Sequence, residues 1–79
     1  MDEVTTRLSN CFQVVFPELP NANILAASQD SIAAWDSVAA ITLVSVIEEE
    51  FGIEMDLDAL AEFDSFVSIR GYVNKKLSA

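Results

Sequence analysis

Apolar and polar positions divide the 79-residue chain into helical stretches separated by one long break. Val4, Leu8, Cys11, Phe12 and Val15 recur at helical spacing between about Asp2 and Phe16, which makes one apolar face. Asp2 and Glu3 fall in the first turn, where the positive end of the helix dipole favours carboxylates. Pro17 and Pro20 end the stretch, because proline has no N–H to continue the ladder. From Pro17 to Asp36 the periodicity is weak. A connection of that length tends to be functional or to cross the fold, and Ile24, Leu25, Ile32 and Trp35 are its expected anchors in the core.

The clearest element is a helix over Ser37 to Phe51. At 100° per residue, Ala40, Leu43, Val44, Ile47 and Phe51 share one stripe. Gly52 follows as an expected left-handed cap. Val38 and Ile41 lie off the stripe, beside Thr42, Ser45 and Glu49, as apolar residues that the core does not claim. Asp56 is the expected N-cap of a short turn over Leu57 to Glu62. Ser65 then opens a last helix from Phe66 to about Leu77, with Phe66, Ile69, Tyr72 or Val73, and Leu77 facing inward. Lys75 and Lys76 sit at its negative end, where the dipole favours cations. Gly71 lies inside this helix without a reason visible in the sequence. The predicted fold is all-α: one domain over residues 1–79, a small four-helix bundle with three longer helices and a short third. A long loop joins its first two helices.

Composition agrees with this reading: 52% of residues are apolar, and two Gly and two Pro leave few breakers. Charge adds more. Thirteen acids oppose four bases, giving −9, and there is no histidine. Between Leu8 and Ile69 there are eleven acids and not one Lys or Arg. Such a chain repels nucleic-acid backbones and anionic membrane surfaces, and it attracts partners with basic patches. Uncharged runs such as Ser37 to Ile47 reach eleven residues, about half of the ~20 that a crossing helix needs, so no membrane insertion is expected. The start, Met1-Asp2-Glu3-Val4, lacks the basic and apolar regions of a secretion signal. One cysteine cannot form an internal disulfide. A cytoplasmic monomer is expected.

Without histidine there is no Ser-His-Asp or Cys-His arrangement and no His-based metal site. A bundle this small offers little room for a cleft that perturbs paired carboxylates, so an enzyme is not expected. Glu54, Asp56 and Asp58 suggest a calcium loop, but the glycine at its sixth position and the glutamate at its twelfth are missing from either register. Cys11 is expected to be buried and inert, and Trp35 to be a packing anchor rather than a ligand contact. The remaining feature is Asp36-Ser37, at the junction of the long loop and the best-defined helix. Both residue types are favoured N-caps, and capping alone accounts for the pair. A second reading places a phosphate-containing group on Ser37, seated on the free N–H groups of the helix start and attached by a separate enzyme.

The run that follows bears on that choice. Asp36-Ser37-Val38, the stripe through Leu43-Val44, and Ile47-Glu48-Glu49-Glu50-Phe51 resemble the acyl carrier protein family. In that family Asp-Ser-Leu or Asp-Ser-Ile opens the second helix and a Glu-Glu-Glu-Phe type sequence closes it. The acidic segment from Ile53 to Glu62 and the Tyr72-Val73 pair fall where the family has its third and fourth helices, so the likeness covers at least Asp36 to Leu77. The resemblance implies that Ser37 carries 4′-phosphopantetheine donated by coenzyme A, with Asp36 in the recognition motif. It implies that Val38, Ile41 and Ser45 face partners, and that Glu48 and Glu49 offer acidic contacts to basic patches. The implied partners are a phosphopantetheinyl transferase, an acyl- or aminoacyl-loading ligase and downstream acyl-processing enzymes. The chain also departs from the family pattern. Ala34 stands where a glycine is common, Trp35 where a small residue is usual, and Ala39 and Thr42 where acids are common. Ser45 replaces a frequent apolar residue. These departures suggest a specialised, stand-alone carrier with dedicated partners. Alternatives are an aminoacyl carrier, or a helical interaction module with no prosthetic group.

Overall fold

Three long helices, α1 (Glu3–Val15), α3 (Ser37–Phe51) and α4 (Phe66–Ser78), surround the core of the computed structural model. It describes residues 2–78, residue 59 by its backbone alone. A single turn, α2 (Asn21–Ile24), interrupts the connection between α1 and α3, and a 3-10 turn over Leu57–Glu62 precedes α4. The fold is all-α, as the periodicity predicts.

Local chemistry sets the helix ends. The Asp2 carboxylate accepts the Thr5 N–H at 2.7 Å, and this bond holds the acid below the usual range for aspartate. At the C-terminus of α3, Gly52 adopts φ 63°, and its N–H donates to the Glu48 carbonyl at 2.9 Å. Ser65 Oγ accepts the Ser68 N–H at 3.1 Å and so opens α4. Asp56 caps the 3-10 turn by accepting the Asp58 N–H at 2.9 Å. The Asp56 N–H in turn donates to the Tyr72 hydroxyl at 3.0 Å. That bond explains why Tyr72 is only half-buried while Val73 fills the core.

α1 packs along α3 and, less extensively, against α4. Leu8 and Phe12 from α1, Leu43 and Ile47 from α3, and Phe66, Ile69 and Val73 from α4 are almost wholly removed from water. Burial of each large side chain contributes about 1.5–3 kcal/mol. The Phe12 ring is central. It lies 5.1 Å from Phe66 and 5.5 Å from Trp35, in a tilted and a T-shaped pairing respectively. Outside the core, Arg7 ties α1 to the end of α3. Its Nε donates to Glu50 Oε2 at 2.7 Å, and its guanidinium stands 4.7 Å over the Phe51 ring.

The long connection is fastened rather than free. Gln29 N–H donates to the Asp64 carbonyl at 2.8 Å, and Phe66 N–H to the Ala27 carbonyl at 2.9 Å, a short antiparallel bridge to the start of α4. Ile24 and Trp35 are buried anchors, and Ile32 is partly buried. Leu25 is not an anchor: it is 41% exposed, because the adjacent Ile24 takes the core side of the α2 turn. Leu77 is likewise 45% exposed rather than inward, since the buried stripe of α4 ends at Val73. One helical turn is too short to leave a periodic signature, so α2 was not predicted.

Candidate functional site

The junction of connection and helix is built from three consecutive residues with different tasks. Trp35 points inward and is 3% exposed. Its N–H donates to the Ile32 carbonyl at 3.0 Å. The next N–H, that of Asp36, donates back to the Ala34 carbonyl at 3.1 Å, a tight turn centred on Trp35. Asp36 emerges in extended conformation, and its Oδ1 accepts the Ala39 N–H at 2.8 Å. Ser37, the first helical residue, is exposed.

Capping leaves part of the helix start available. Ala39 N–H is taken by the Asp36 side chain and Ala40 N–H by the Asp36 carbonyl. The N–H groups of Ser37 and Val38 precede the first helical bond and have no hydrogen-bond partner among the described residues, at the positive end of α3. Beside Ser37 opens a groove of about 390 Å³, lined by Gln29 from the connection, Ala40 from α3, and Leu57, Asp58, Leu60 and Phe63 from the 3-10 segment. This arrangement gives Ser37 open access, unpaired donors for an anion and a flanking groove. Donors of this kind suit an anion such as a phosphodiester. The groove residues were not predicted. They come from segments far apart in sequence and carry no shared motif.

The structure sorts the residues of the outer ridge. Val38 is 73% and Ile41 50% exposed, and Ser45 and Glu49 are exposed on the same helix. The Thr42 hydroxyl folds back onto the Val38 carbonyl at 3.0 Å. Glu48 behaves differently. It is half-buried, and its Oε2 accepts the Met55 N–H at 2.8 Å, which fastens the segment after Gly52. Glu50 is engaged by Arg7. Glu49 is therefore the glutamate of the three with no ion pair or side-chain hydrogen bond among the described residues.

Elsewhere, Cys11 is buried between α1 and its neighbours, and desolvation pushes its thiol up to about 11. Glu54, Asp56 and Asp58 serve no common centre: among the described residues no three His, Cys, Asp or Glu side chains converge as a metal site requires. No helix among the described residues is long and apolar enough to cross a membrane.

A family model described as a phosphopantetheine attachment site matches residues 17–73, well over half of the chain. The chain belongs to this family. It is a phosphopantetheine carrier of the acyl carrier type, and the family bears 4′-phosphopantetheine covalently on a serine. The match spans the connection, the Asp36-Ser37 junction, α3, the 3-10 turn and most of α4. Searches among curated proteins and solved structures returned no significant match.

Proposed function

We propose that Ser37 is the serine that carries the prosthetic arm, and that the protein is a non-enzymatic carrier delivering an acyl intermediate to partner enzymes. The observation that carries this reading is the position of Ser37: exposed at the first turn of α3, next to the N-cap Asp36 and inside the matched region. Coenzyme A donates the group. A bond forms between Ser37 Oγ and phosphorus as the pyrophosphate linkage of coenzyme A breaks and adenosine 3′,5′-bisphosphate leaves, and the transferase supplies the base that takes the hydroxyl proton. This chain needs no activating residue of its own, which fits the absence of histidine from its sequence. When bound, the arm supplies a terminal thiol that holds the cargo as a thioester.

What the chain contributes is presentation. The donors at the start of α3 offset the phosphodiester charge, which would otherwise sit beside the carboxylates of Asp36 and Asp58. Val38, Ile41 and Ser45 form the proposed docking ridge, and Glu49 its acidic contact. A tethered cargo meets each active site at high effective concentration. Weak, charge-steered docking then allows release after each transfer.

Incubation with coenzyme A and a broad-specificity phosphopantetheinyl transferase, followed by intact-mass measurement and peptide mapping, tests the assignment. One pantetheinyl addition, mapped to Ser37 and abolished by Ser37→Ala, is expected. Addition that persists in Ser37→Ala would move the site elsewhere. No addition under conditions that modify a control carrier would favour an interaction module without a prosthetic group.

A further inference from the structure

We propose that Trp35 is a positioning residue for Ser37: its buried ring clamps the tight turn that sets where the hydroxyl is presented. The inference rests on Ser37 as the attachment site, and it concerns how the fold delivers that hydroxyl to a transferase.

Three observations converge. The indole packs on two rings at the C-terminal end of α1, T-shaped on Phe12 at 5.5 Å and tilted on Phe16, the C-cap residue, at 5.6 Å. Phe12 in turn packs on Phe66 of α4, so the clamp is anchored across the bundle. The backbone around Trp35 folds into the turn described above, with Trp35 N–H on Ile32 O and Asp36 N–H on Ala34 O. Moving the ring therefore moves the peptide that leads into the Asp36 cap. Finally, the indole Nε1 is buried and has no hydrogen-bond partner. An orphaned buried donor is unfavourable, so the site gains nothing from the N–H and uses the ring itself. Trp35 is also two positions from Ser37, within the reach of two peptide units, so displacement of its backbone has little chain over which to relax.

The test compares steady-state transferase kinetics on the full chain for Trp35→Leu, Trp35→Phe and a control, Val73→Ala, in the α4 core away from the turn. All are assayed where urea titration shows each to be folded. Val73→Ala is expected to keep kcat/KM within about twofold of the parent. Trp35→Leu is expected to lower it by about tenfold or more, chiefly in kcat, because the outer ridge still docks while the hydroxyl is misplaced. Trp35→Phe, which keeps a ring and removes the orphaned donor, should recover most of that loss. Hydrogen exchange at the Ala39 amide reads the same displacement without the transferase and should quicken in Trp35→Leu but not in Val73→Ala. If Trp35→Leu does not fold, Phe16→Leu removes a facing ring and carries the same expectation. Kinetics and exchange in Trp35→Leu that match Val73→Ala would overturn the proposal, as would a Trp35→Phe variant no better than Trp35→Leu. A parent modified at a residue other than Ser37 would instead refute the attachment reading, and the exchange measurement would still decide whether Trp35 sets the Asp36 cap.

Discussion

The chain has two glycines, and replacing each by alanine should change stability in opposite directions. Gly71 lies in the interior of α4 and is exposed, its φ is not positive, and an added Cβ meets nothing within 4 Å. Alanine there removes the helix-interior penalty of glycine, a gain of about 0.5–1 kcal/mol with no packing cost to set against it. Gly52 also has open space around its Cβ position, but its φ is 63°. A side chain in that left-handed conformation costs about 1–2 kcal/mol, of which reduced freedom in the unfolded chain returns about 0.4–1. The net effect at Gly52 is a loss of roughly 0.5–1 kcal/mol. Because space is equally free at both positions, the contrast isolates backbone conformation.

At about 4–8 °C per kcal/mol for a domain of this size, Gly71→Ala and Gly52→Ala should melt roughly 4–16 °C apart, on either side of the parent. Urea titrations followed by circular dichroism should show shifted midpoints with unchanged slope. A destabilised Gly71→Ala would refute the reasoning, since it would mean that the helix needs the glycine for a reason its own contacts do not contain. A stabilised variant that is delivered less well to partner enzymes would assign Gly71 to recognition, because it lies in a groove with Glu62, Phe63, Ser68, Tyr72 and Lys75.

Asp36→Ala should cost about 1 kcal/mol by freeing the Ala39 N–H, whereas Asp36→Asn should keep most of that stability; thermal melts of the pair check it. Glu49→Lys should slow association with basic partner enzymes at low salt and leave the melting temperature nearly unchanged. Glu48→Lys should lower stability by about 1 kcal/mol or more, because the Met55 N–H loses its charged acceptor; stopped-flow association and denaturant titration separate the two. Cys11 should resist alkylation at neutral pH in the folded protein and react on unfolding, since burial raises its thiol to about 11. The same shift has an alkaline consequence. A thiol raised from 9.0 to about 11 contributes stability that is intact below pH 9 and is lost as pH climbs towards 11, so Cys11→Ala should show a shallower decline in that window.

Much of the fold was legible because its helices are long enough for spacing to mark a buried stripe. The buried residues of α3 are Ala40, Leu43, Val44, Ile47 and Phe51, the stripe drawn from spacing alone. Its caps, Asp36 and Gly52, follow from residue chemistry. Leu25 and Leu77 were misplaced for one shared reason. Periodicity says which residues share a face but not where the neighbouring element ends, and both lie at the margins of the packed region. The bridge between Ala27–Gln29 and Asp64–Phe66 was invisible because its bonds are made by backbone, to which sequence gives no label. At the site, Asp36, Ser37, Val38 and Ile41 were readable as positions on one helix. The groove beside Ser37 was not, since Gln29, Asp58 and Phe63 meet only through tertiary packing.

The acids of α3 show why a residue count does not give a docking surface. Sequence places Glu48, Glu49 and Glu50 together as one block of negative charge. Structure divides them: Glu48 is turned to the Met55 backbone, the exposed Glu50 is paired with Arg7, and Glu49 is exposed with no ion pair among the described residues. The start of the helix carries Val38, Ile41, Thr42 and Ser45 on the outside, with no carboxylate after Asp36 until Glu48. A partner that docks along Val38 to Ser45 therefore meets an apolar and hydroxyl-bearing ridge beyond the acids at Asp36 and Asp58, and feels the remaining negative charge mainly as a field from the rest of the molecule. Long-range charge speeds encounter but is screened by salt, while apolar contact at the ridge sets lifetime. The proposed docking thus separates rate from residence. Added salt should reduce the association rate more than it raises the dissociation rate, and Ile41→Ala should do the reverse.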